Sequence, residues 1–252
     1  MIRSTVTLLT CSILFACNST NPKPNATAAT NVTNFKTLDT LVPFAGFWVN
    51  ETYVNNINRT RSPRKCQGLS ESCLTIPART LQPTSMVSGF HEGAAEIAVV
   101  KKDNTFQFYG KYDDTIRDLA YDIKVISAEK LKIGKNTFIK TNEHFLADLL
   151  FSGDYRDTLN NTVQFSKDGH IKGLGKYAFY EPWYDYTTEP DLDADQVDLG
   201  RQDIKKIVHF AYRFKQDTLL IYNLNCLEYD SSANSCLQPS LGDIKYKLIR
   251  IH

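Results

Sequence analysis

Hydrophobic and polar residues alternate along most of the chain after residue 35. Clear examples are "AEIAVVKKDNTFQFYGKY" at 95–112 and "KIVHFAYRFKQDTLLIYNLNCLEYD" at 206–230. A period of two places successive side chains on opposite faces of a strand. Short polar turns, such as Lys167-Asp168-Gly169 and Lys215-Gln216-Asp217, separate many of these runs and favour antiparallel hairpins. The pattern predicts an all-β domain built as a meander.

Two short segments have a helical pattern instead. One spans about 51–59, directly after the first strand, and the other spans about 142–151, where Phe145, Leu146 and Leu149 share a face. Neither is long enough to organise the domain. A meander of eight or more strands removes its exposed edges by closing on itself. No internal repeat is apparent, so the sequence predicts a single antiparallel up-and-down barrel with one or two short helices.

The N-terminus has the features of a secretory leader. Residues 4–16 are apolar, too short to span a bilayer, and end in Phe15-Ala16 before Cys17. Leu14-Phe15-Ala16-Cys17 resembles the lipobox of bacterial lipoproteins. This resemblance implies that 1–16 is a signal peptide and that Cys17 carries the lipid; in the alternative, Cys17 lies beside an ordinary cleavage site and has no role.

Composition divides the mature chain into a spacer and a folded domain. Residues 18–34 are small and polar, with little apolar surface to bury, so 17–34 is interpreted as the lipidated cysteine and its tether, and 35–252 as the barrel domain. Removing 1–16 takes Arg3 from the 29 basic side chains and leaves 28 basic and 28 acidic. This balance gives no electrostatic reason to expect nucleic acid as a partner.

Four further cysteines remain in the exported part of the chain: Cys66, Cys73, Cys226 and Cys236. An even number in an exported protein predicts disulfides. Three pairings are possible, and the short separations favour Cys66 with Cys73 and Cys226 with Cys236. A metal site is the weaker alternative because neither spacing is C-x-x-C.

Gly46-Phe47-Trp48 in the first strand resembles the G-x-W motif of the lipocalin superfamily. In such barrels a basic residue of the last strand lies across the tryptophan, and Arg250 in "IKYKLIRI" is the residue in that position. The segment "GFWVNETYVNNI", followed by "RSPR", is similar to lipocalin-like lipoproteins of Bacteroidetes-type bacteria. The resemblance implies a barrel closed by contact between Trp48 and Arg250, because a guanidinium on an indole face stabilises by about 0.5–2 kcal/mol.

Common catalytic motifs are absent from the sequence, and three weaker candidates remain. His91 and Glu92 form a polar pair that could serve proton transfer, or could simply end a strand. In "YAFYEPWYDY", Pro182 could place aromatic rings at a barrel mouth to bind a ligand, or the rings could fill a core. The ring candidates are Trp183, Tyr184 and Tyr186.

"DLDADQVDLGRQD" at 191–203 is the most charged loop. Its alternating aspartates begin like an oxygen-rich calcium loop, although the turn glycine and the final bidentate glutamate are missing. A loose calcium site or a solvated acidic loop are the two interpretations. The candidate ligands are Asp191, Asp193, Asp195 and Asp198; no other cofactor is expected.

These observations favour a non-enzymatic, lipid-anchored protein of the bacterial outer membrane, facing the periplasm and monomeric. It is expected to bind a small hydrophobic or amphipathic ligand in or at the mouth of the barrel. Two alternatives stay open. One is a structural or inhibitor-like module that binds a protein partner. The other is an envelope hydrolase or isomerase that uses His91 and Glu92.

Overall fold

The computed structural model describes residues 40–66, 72–80, 83–88, 95–102, 104–112, 115–184, 186, 192–201, 207–232 and 235–252. Cys17, His91, Glu92 and Asp191 lie outside these described residues. Phe35–His252 form one compact unit. Antiparallel strands dominate it, which confirms the all-β class. In the described part of the chain, no helix has the length and apolarity needed to cross a membrane.

The first half of the folded chain forms a closed antiparallel barrel, here called the first barrel. Consecutive strands pair in chain order, and the eighth strand returns to pair with the first. Its strands are β1 (Gly46–Asn50), β2 (Ser72–Ile76), β3 (Pro83–Ser88), β4 (Ala95–Lys102), β5 (Thr105–Tyr112), β6 (Thr115–Ser127), β7 (Lys130–Ile133) and β8 (Asn136–Thr141). An antiparallel up-and-down barrel is therefore confirmed for this half of the chain. The prediction of a single barrel over 35–252 is wrong in one respect, because the second half forms a separate sheet.

The described side chains of the first barrel include one buried apolar cluster. Trp48 and Leu131 are fully buried in one cluster, and the Trp48 indole donates a hydrogen bond from Nε1 to the Phe44 carbonyl at 3.0 Å. Because Trp and Phe side chains bury large areas, this cluster supplies much of the stabilisation of the barrel. Its other members are Val42, Phe44, Leu74, Ile76, Val99, Phe108, Ile123, Ile133 and Phe138.

One α-helix, α1 (Glu51–Thr60), follows β1 and matches the predicted helix. The Asn50 side chain caps it by accepting a hydrogen bond from the backbone N–H of Thr52 at 2.9 Å. Tyr53 and Ile57 are one helical turn apart on its buried face. That face belongs to a hydrophobic cluster with side chains from the second half of the chain, so α1 joins the two halves.

The second half forms another antiparallel sheet of eight strands, here called the second sheet. The predicted helical segment 142–151 precedes it and contains a single π-helical turn at Ala147–Phe151. The strands are β9 (Gly153–Arg156), β10 (Thr162–Phe165), β11 (Ile171–Lys172), β12 (Tyr177–Pro182), β13 (Asp195–Arg201), β14 (Ile207–Lys215), β15 (Thr218–Asp230) and β16 (Ser235–Arg250).

The second sheet follows the same up-and-down order as the first barrel. Consecutive strands pair along β9–β11 and β12–β16, and the last strand, β16, returns to the first, β9. Its two edges, β11 and β12, meet through an isolated bridge between His170 and Phe179. The N–H of Tyr180 also donates to the Gly169 carbonyl at 2.7 Å. The sheet therefore curls until its edges touch.

The first and last strands of the second sheet are joined by a cation on an aromatic ring. Tyr155 on β9 is the register partner of Arg250 on β16. The Arg250 guanidinium lies 5.2 Å from the centre of the Tyr155 ring, and its Nη2 donates to the Tyr155 hydroxyl at 2.6 Å and to the Leu150 carbonyl at 2.9 Å. We call this contact the Tyr155–Arg250 clasp.

The first barrel has an equivalent clasp. Trp48 on β1 is the register partner of Lys140 on β8, and Lys140 Nζ lies 5.6 Å from the centre of the indole. The predicted contact between Trp48 and Arg250 is therefore wrong. Each sheet closes on its own last strand, so the two residues belong to different clasps.

A short sequence pattern underlies both clasps. "FAGFW" at 44–48 and "FSGDY" at 151–155 share Phe, Gly and an aromatic residue at the same spacing. Gly46 and Gly153 have φ values of 138° and 137°, which strongly favour glycine. A Cβ at Gly46 would lie 2.9 Å from Lys140 Cε. Contrary to the sequence analysis, the chain thus contains a repeated structural unit.

One of the two predicted disulfides is present. Cys226 and Cys236 are bonded, with Cα atoms 5.7 Å apart, across a hairpin of β15 and β16 that continues past the last residue pair between β14 and β15. The predicted Cys66–Cys73 disulfide is wrong, since both residues are buried thiols in the cluster beneath α1. Burial raises the pKa of the Cys73 thiol to about 11, which keeps it protonated and unreactive.

We predict that Arg250→Met lowers the free energy of unfolding by about 2–3 kcal/mol, because the Tyr155 hydroxyl and the Leu150 carbonyl lose a charged donor. Urea denaturation measures this loss. The control is Arg156→Met on β9, whose exposed side chain bonds only Asn160 among the described residues; its effect is expected within about 0.5 kcal/mol. Equal effects of the two substitutions would contradict a role for the clasp.

Candidate functional site

A cleft of about 370 Å³ lies between the end of α1 and strands β13 and β14. One wall comes from the segment that follows the helix in the first barrel, and the other comes from the second sheet. Binding sites commonly form where two structural units meet. The lining residues are Thr60, Arg61, Ser62, Arg64, Lys65, Asp193, Ala194, Asp195, Arg213 and Phe214.

Arg61 ends α1 and fixes one corner of the cleft. It adopts the left-handed conformation at the helix C-cap, and its N–H donates to the Ile57 carbonyl at 2.7 Å. Its guanidinium lies 4.2 Å from the centre of the Phe214 ring and donates from Nη2 to the Leu150 carbonyl at 2.9 Å. Burial, and then the nearby Arg250, lower the pKa of Arg61. The Leu150 carbonyl therefore links the cleft to the Tyr155–Arg250 clasp.

The residues after Arg61 form a tight polar turn. The N–H of Lys65 donates to the Ser62 hydroxyl at 3.2 Å, and Arg64–Cys66 form a 3₁₀ turn. The Arg64 guanidinium lies 5.3 Å from the centre of the Tyr186 ring. Tyr186, one of the predicted ligand-binding aromatics, is buried behind Arg64, and its hydroxyl accepts from the N–H of Gln196 at 2.7 Å. It therefore supports the wall of the cleft.

Asp195 is the buried carboxylate of the cleft. Only 5% of its surface is exposed, and its Oδ1 accepts a hydrogen bond from the N–H of Arg64 at 2.8 Å. Burial raises the pKa of Asp195 to about 6, against the opposing effects of hydrogen bonds from Arg64 and Ser62 and the charge of Lys65. A carboxylate held in this way, in a cleft, is typical of functional sites.

The rim of the cleft has a second carboxylate with a different environment. Asp193 is exposed, and its carboxylate is 3.1 Å from Arg213 Nη2. The Arg213 guanidinium also donates to the backbone carbonyl of Asp193. With both aspartates ionised, the four cations Arg61, Arg64, Lys65 and Arg213 outnumber the acids by two. The cleft is therefore electrostatically suited to an anion.

The structure does not support the calcium site expected from the aspartates. Asp193 pairs with Arg213, and Asp195 accepts from Arg64. Asp198 accepts at 2.7 Å from the Trp183 indole and lies 2.7 Å from His209 Nδ1. Each carboxylate thus has its own donors and they do not converge. Within the described ranges, no group of three or more metal-binding side chains was found.

The other two predicted aromatic residues lie away from the cleft lining. Trp183 packs edge-on against His209, with ring centres 5.7 Å apart, beside the Asp198 carboxylate. Tyr184 is exposed and lines a small hollow with the segment Glu143–Ala147. Tyr186 contacts a residue of the cleft, Arg64.

Sequence reasoning missed the basic wall of the cleft. "RSPRK" at 61–65 is a compact basic run, and that run was the available signal. Its acidic counterpart, Asp195, is separated from Arg64 by 131 positions along the chain. No local periodicity connects residues so far apart, so the pairing emerges only when the second sheet packs on α1.

We predict that Asp195→Asn raises the free energy of unfolding at pH 7 by about 2–3 kcal/mol. The folded pKa of about 6 exceeds the ordinary 3.8 by about two units, each worth 1.36 kcal/mol. The folded state therefore binds the proton of Asp195 more tightly than the unfolded state does. Protonation of Asp195 raises the free energy of unfolding as the pH falls from 7 to 4, and this stabilisation is lost as the pH rises through 6. Urea denaturation at both pH values measures it.

The substitution Asp193→Asn is the matched control, because Asp193 is exposed. It is expected to change the free energy of unfolding by less than about 0.5 kcal/mol. If the free energy of unfolding had the same pH dependence between pH 4 and 7 in the parent protein and in Asp195→Asn, the burial cost assigned to the Asp195 carboxylate would be contradicted.

Comparison with known proteins gives no relative for this chain. No family model matches it. No curated protein and no solved structure matches it either.

Proposed function

We propose that this protein is a lipid-anchored binding protein of the bacterial cell envelope that holds a small amphipathic anion in the cleft. The observation that carries this proposal is the 370 Å³ cleft with four cationic side chains around one buried carboxylate. The protein acts as a monomer and performs no chemistry on the ligand. The binding site lies beside the barrel rather than in its lumen.

The polarity of the walls favours an amphipathic ligand. Phe214 is half-buried and lines the cleft with its ring beneath the Arg61 guanidinium, while Arg64 and Lys65 offer charged donors on the opposite wall. Guanidinium and ammonium groups bind carboxylates, phosphates and sulfonates through charge-assisted hydrogen bonds. An apolar chain on Phe214 with an anionic head group at Arg64 and Lys65 satisfies both walls.

The cleft is chosen for its own properties. Among the described residues of the first barrel, Trp48, Phe108 and Leu131 pack in a single cluster, and packing of this kind leaves no room for a ligand among those side chains. The cleft has space and unequal charge, which are the two properties that recognition of an anion requires.

We predict that 1-decanesulfonate, an amphipathic anion, binds the cleft and that Arg64→Gln or Lys65→Gln weakens its binding about five- to twenty-fold. Each substitution removes one charged donor from the wall. Isothermal titration calorimetry at fixed ionic strength, below the micellar concentration of the probe, measures the dissociation constant.

Arg59→Gln is the control for that experiment. Arg59 lies in the last turn of α1, bonds Asn56 and is exposed, so the substitution removes one positive charge without touching the cleft. Its dissociation constant is expected to stay within a factor of about two of the parent value. Equal losses in all three variants would indicate nonspecific attraction and would contradict a site in the cleft.

The proposed anchor is a lipid on Cys17, supported by the apolar leader and the lipobox-like Leu14-Phe15-Ala16-Cys17. We propose the outer membrane, with the folded domain facing the periplasm, as its location. Several acyl chains, at about 0.8 kcal/mol per buried methylene, give stable attachment. No polybasic surface is required for this attachment.

We predict that Cys17→Ser moves the protein from the membrane fraction to the soluble fraction when it is expressed in a bacterium that processes lipoproteins. The substitution removes the thiol that accepts the lipid. Mass spectrometry of the purified parent protein is expected to show an acylated Cys17 as the first residue. Membrane retention of the serine variant would contradict lipid anchoring.

A second candidate function is binding of a protein partner through the β15–β16 hairpin. Beyond its pairing with β14, this hairpin carries exposed apolar side chains at Leu227, Tyr229 and Leu237 next to the Cys226–Cys236 disulfide. Exposed apolar residues on a pinned hairpin are a common form of recognition loop. This surface and the cleft are formed by different residues, so the two functions are separable by mutation.

A further inference from the structure

The cleft combines two groups that oppose each other in anion binding. Arg64 and Lys65 attract an anion, while the Asp195 carboxylate is buried among the same lining residues and offsets part of their charge. A buried carboxylate that only served folding would be better replaced by asparagine, which accepts the same hydrogen bond at a lower desolvation cost. A contribution to folding alone therefore does not explain why the side chain at this position is charged.

We propose that Asp195 sets the affinity of the cleft by its charge, so that the protein binds an anionic ligand more tightly at mildly acidic pH than near neutral pH. This inference rests on the proposed function, since it concerns the regulation of the same site. Protonation of Asp195 removes one negative charge from the cleft and raises the excess of cations over acids from two to three.

The hydrogen bond between Asp195 and the Arg64 backbone holds the carboxylate next to the cations whose effect on the ligand it offsets. The bond joins β13 to the 3₁₀ turn, and its length of 2.8 Å places the carboxylate against the turn that presents Arg64 and Lys65. A protonated carboxyl still accepts from this N–H through its carbonyl oxygen. The turn thus keeps its place when the charge disappears, and only the electrostatic balance changes.

The groups that surround Asp195 leave it as the titrating centre of the cleft. Ser62, Arg64 and Lys65 face it from the turn, and guanidinium groups keep their charge throughout the relevant range. Tyr212 is its register partner on β14. Burial raises the pKa of Tyr212 well above its ordinary value, so its hydroxyl stays neutral.

Other charged groups meet the cleft farther from this carboxylate. Arg61 approaches from the end of α1, and Arg213 approaches from β14 in its pair with the Asp193 carboxylate. His209, also on β14, lies beside Asp198 and does not line the cleft. Because histidine commonly titrates between pH 5 and 8, His209→Gln serves as the control for pH effects that come from outside the cleft.

The test is calorimetric titration of the full-length protein with 1-decanesulfonate at pH 5.0, 6.0, 7.0 and 8.0, at constant ionic strength. A sulfonate stays ionised over this whole range, so a change in affinity belongs to the protein. The parent protein is expected to bind about three- to ten-fold more tightly at pH 5.0 than at pH 8.0. Asp195→Asn is expected to bind tightly at every pH, and His209→Gln is expected to follow the parent.

The possible outcomes separate the two proposals. Binding that is independent of pH in the parent, or a parental pH profile in Asp195→Asn, overturns the control by Asp195 and leaves the binding site standing. A profile that His209→Gln abolishes also overturns it. No binding at any pH refutes the proposed function and this inference together.

Discussion

Closure of each sheet depends on a basic side chain that lies across the aromatic residue of its first strand. In the second sheet, the Arg250 guanidinium contacts the Tyr155 ring, and in the first barrel Lys140 lies over Trp48. The pairing fixes register, because in both cases the cation and the ring are direct partners across the ladder. A one-residue slip would turn the cation to the opposite face and would separate it from the ring. The clasp therefore specifies which strands meet as well as stabilising their contact.

The cleft follows from the way the two sheets are connected. Helix α1 leaves the first barrel after β1, and its buried face packs in the cluster of the second sheet. Its C-cap residue, Arg61, reaches the Leu150 carbonyl that Arg250 also binds. The wall of the cleft is thus tied to a clasp, which gives the charged side chains a rigid support. Preorganised donors of this kind improve binding because less ordering is required when the ligand arrives.

Local patterns predicted those features that depend on neighbouring residues. The alternation of apolar residues identified the strands, and the helical pattern at about 51–59 identified α1. The ten-residue separation of Cys226 and Cys236 fitted a hairpin, which the structure has.

Features that depend on distant partners were missed or assigned wrongly. Trp48 was identified as a closing residue. Several strands carry basic residues that could lie across it, and the sequence does not rank Lys140 above Arg250. The cleft needs Arg64 and Asp195 to meet across 131 positions, which no periodicity reveals.

The place of α1 in the chain has a consequence for biosynthesis. A chain that emerges N-terminus first, from the ribosome or from an export channel, folds its segments as they arrive. The strands up to β8 can close their barrel before the remaining residues arrive. Throughout that interval Tyr53 and Ile57 lack the side chains of β13 and β14 that share their cluster. The incomplete chain therefore exposes the apolar face of α1 to solvent. The first half of the fold therefore carries part of the core of its second half. Until the C-terminal strands arrive, this apolar face of α1 is available for a chaperone to bind.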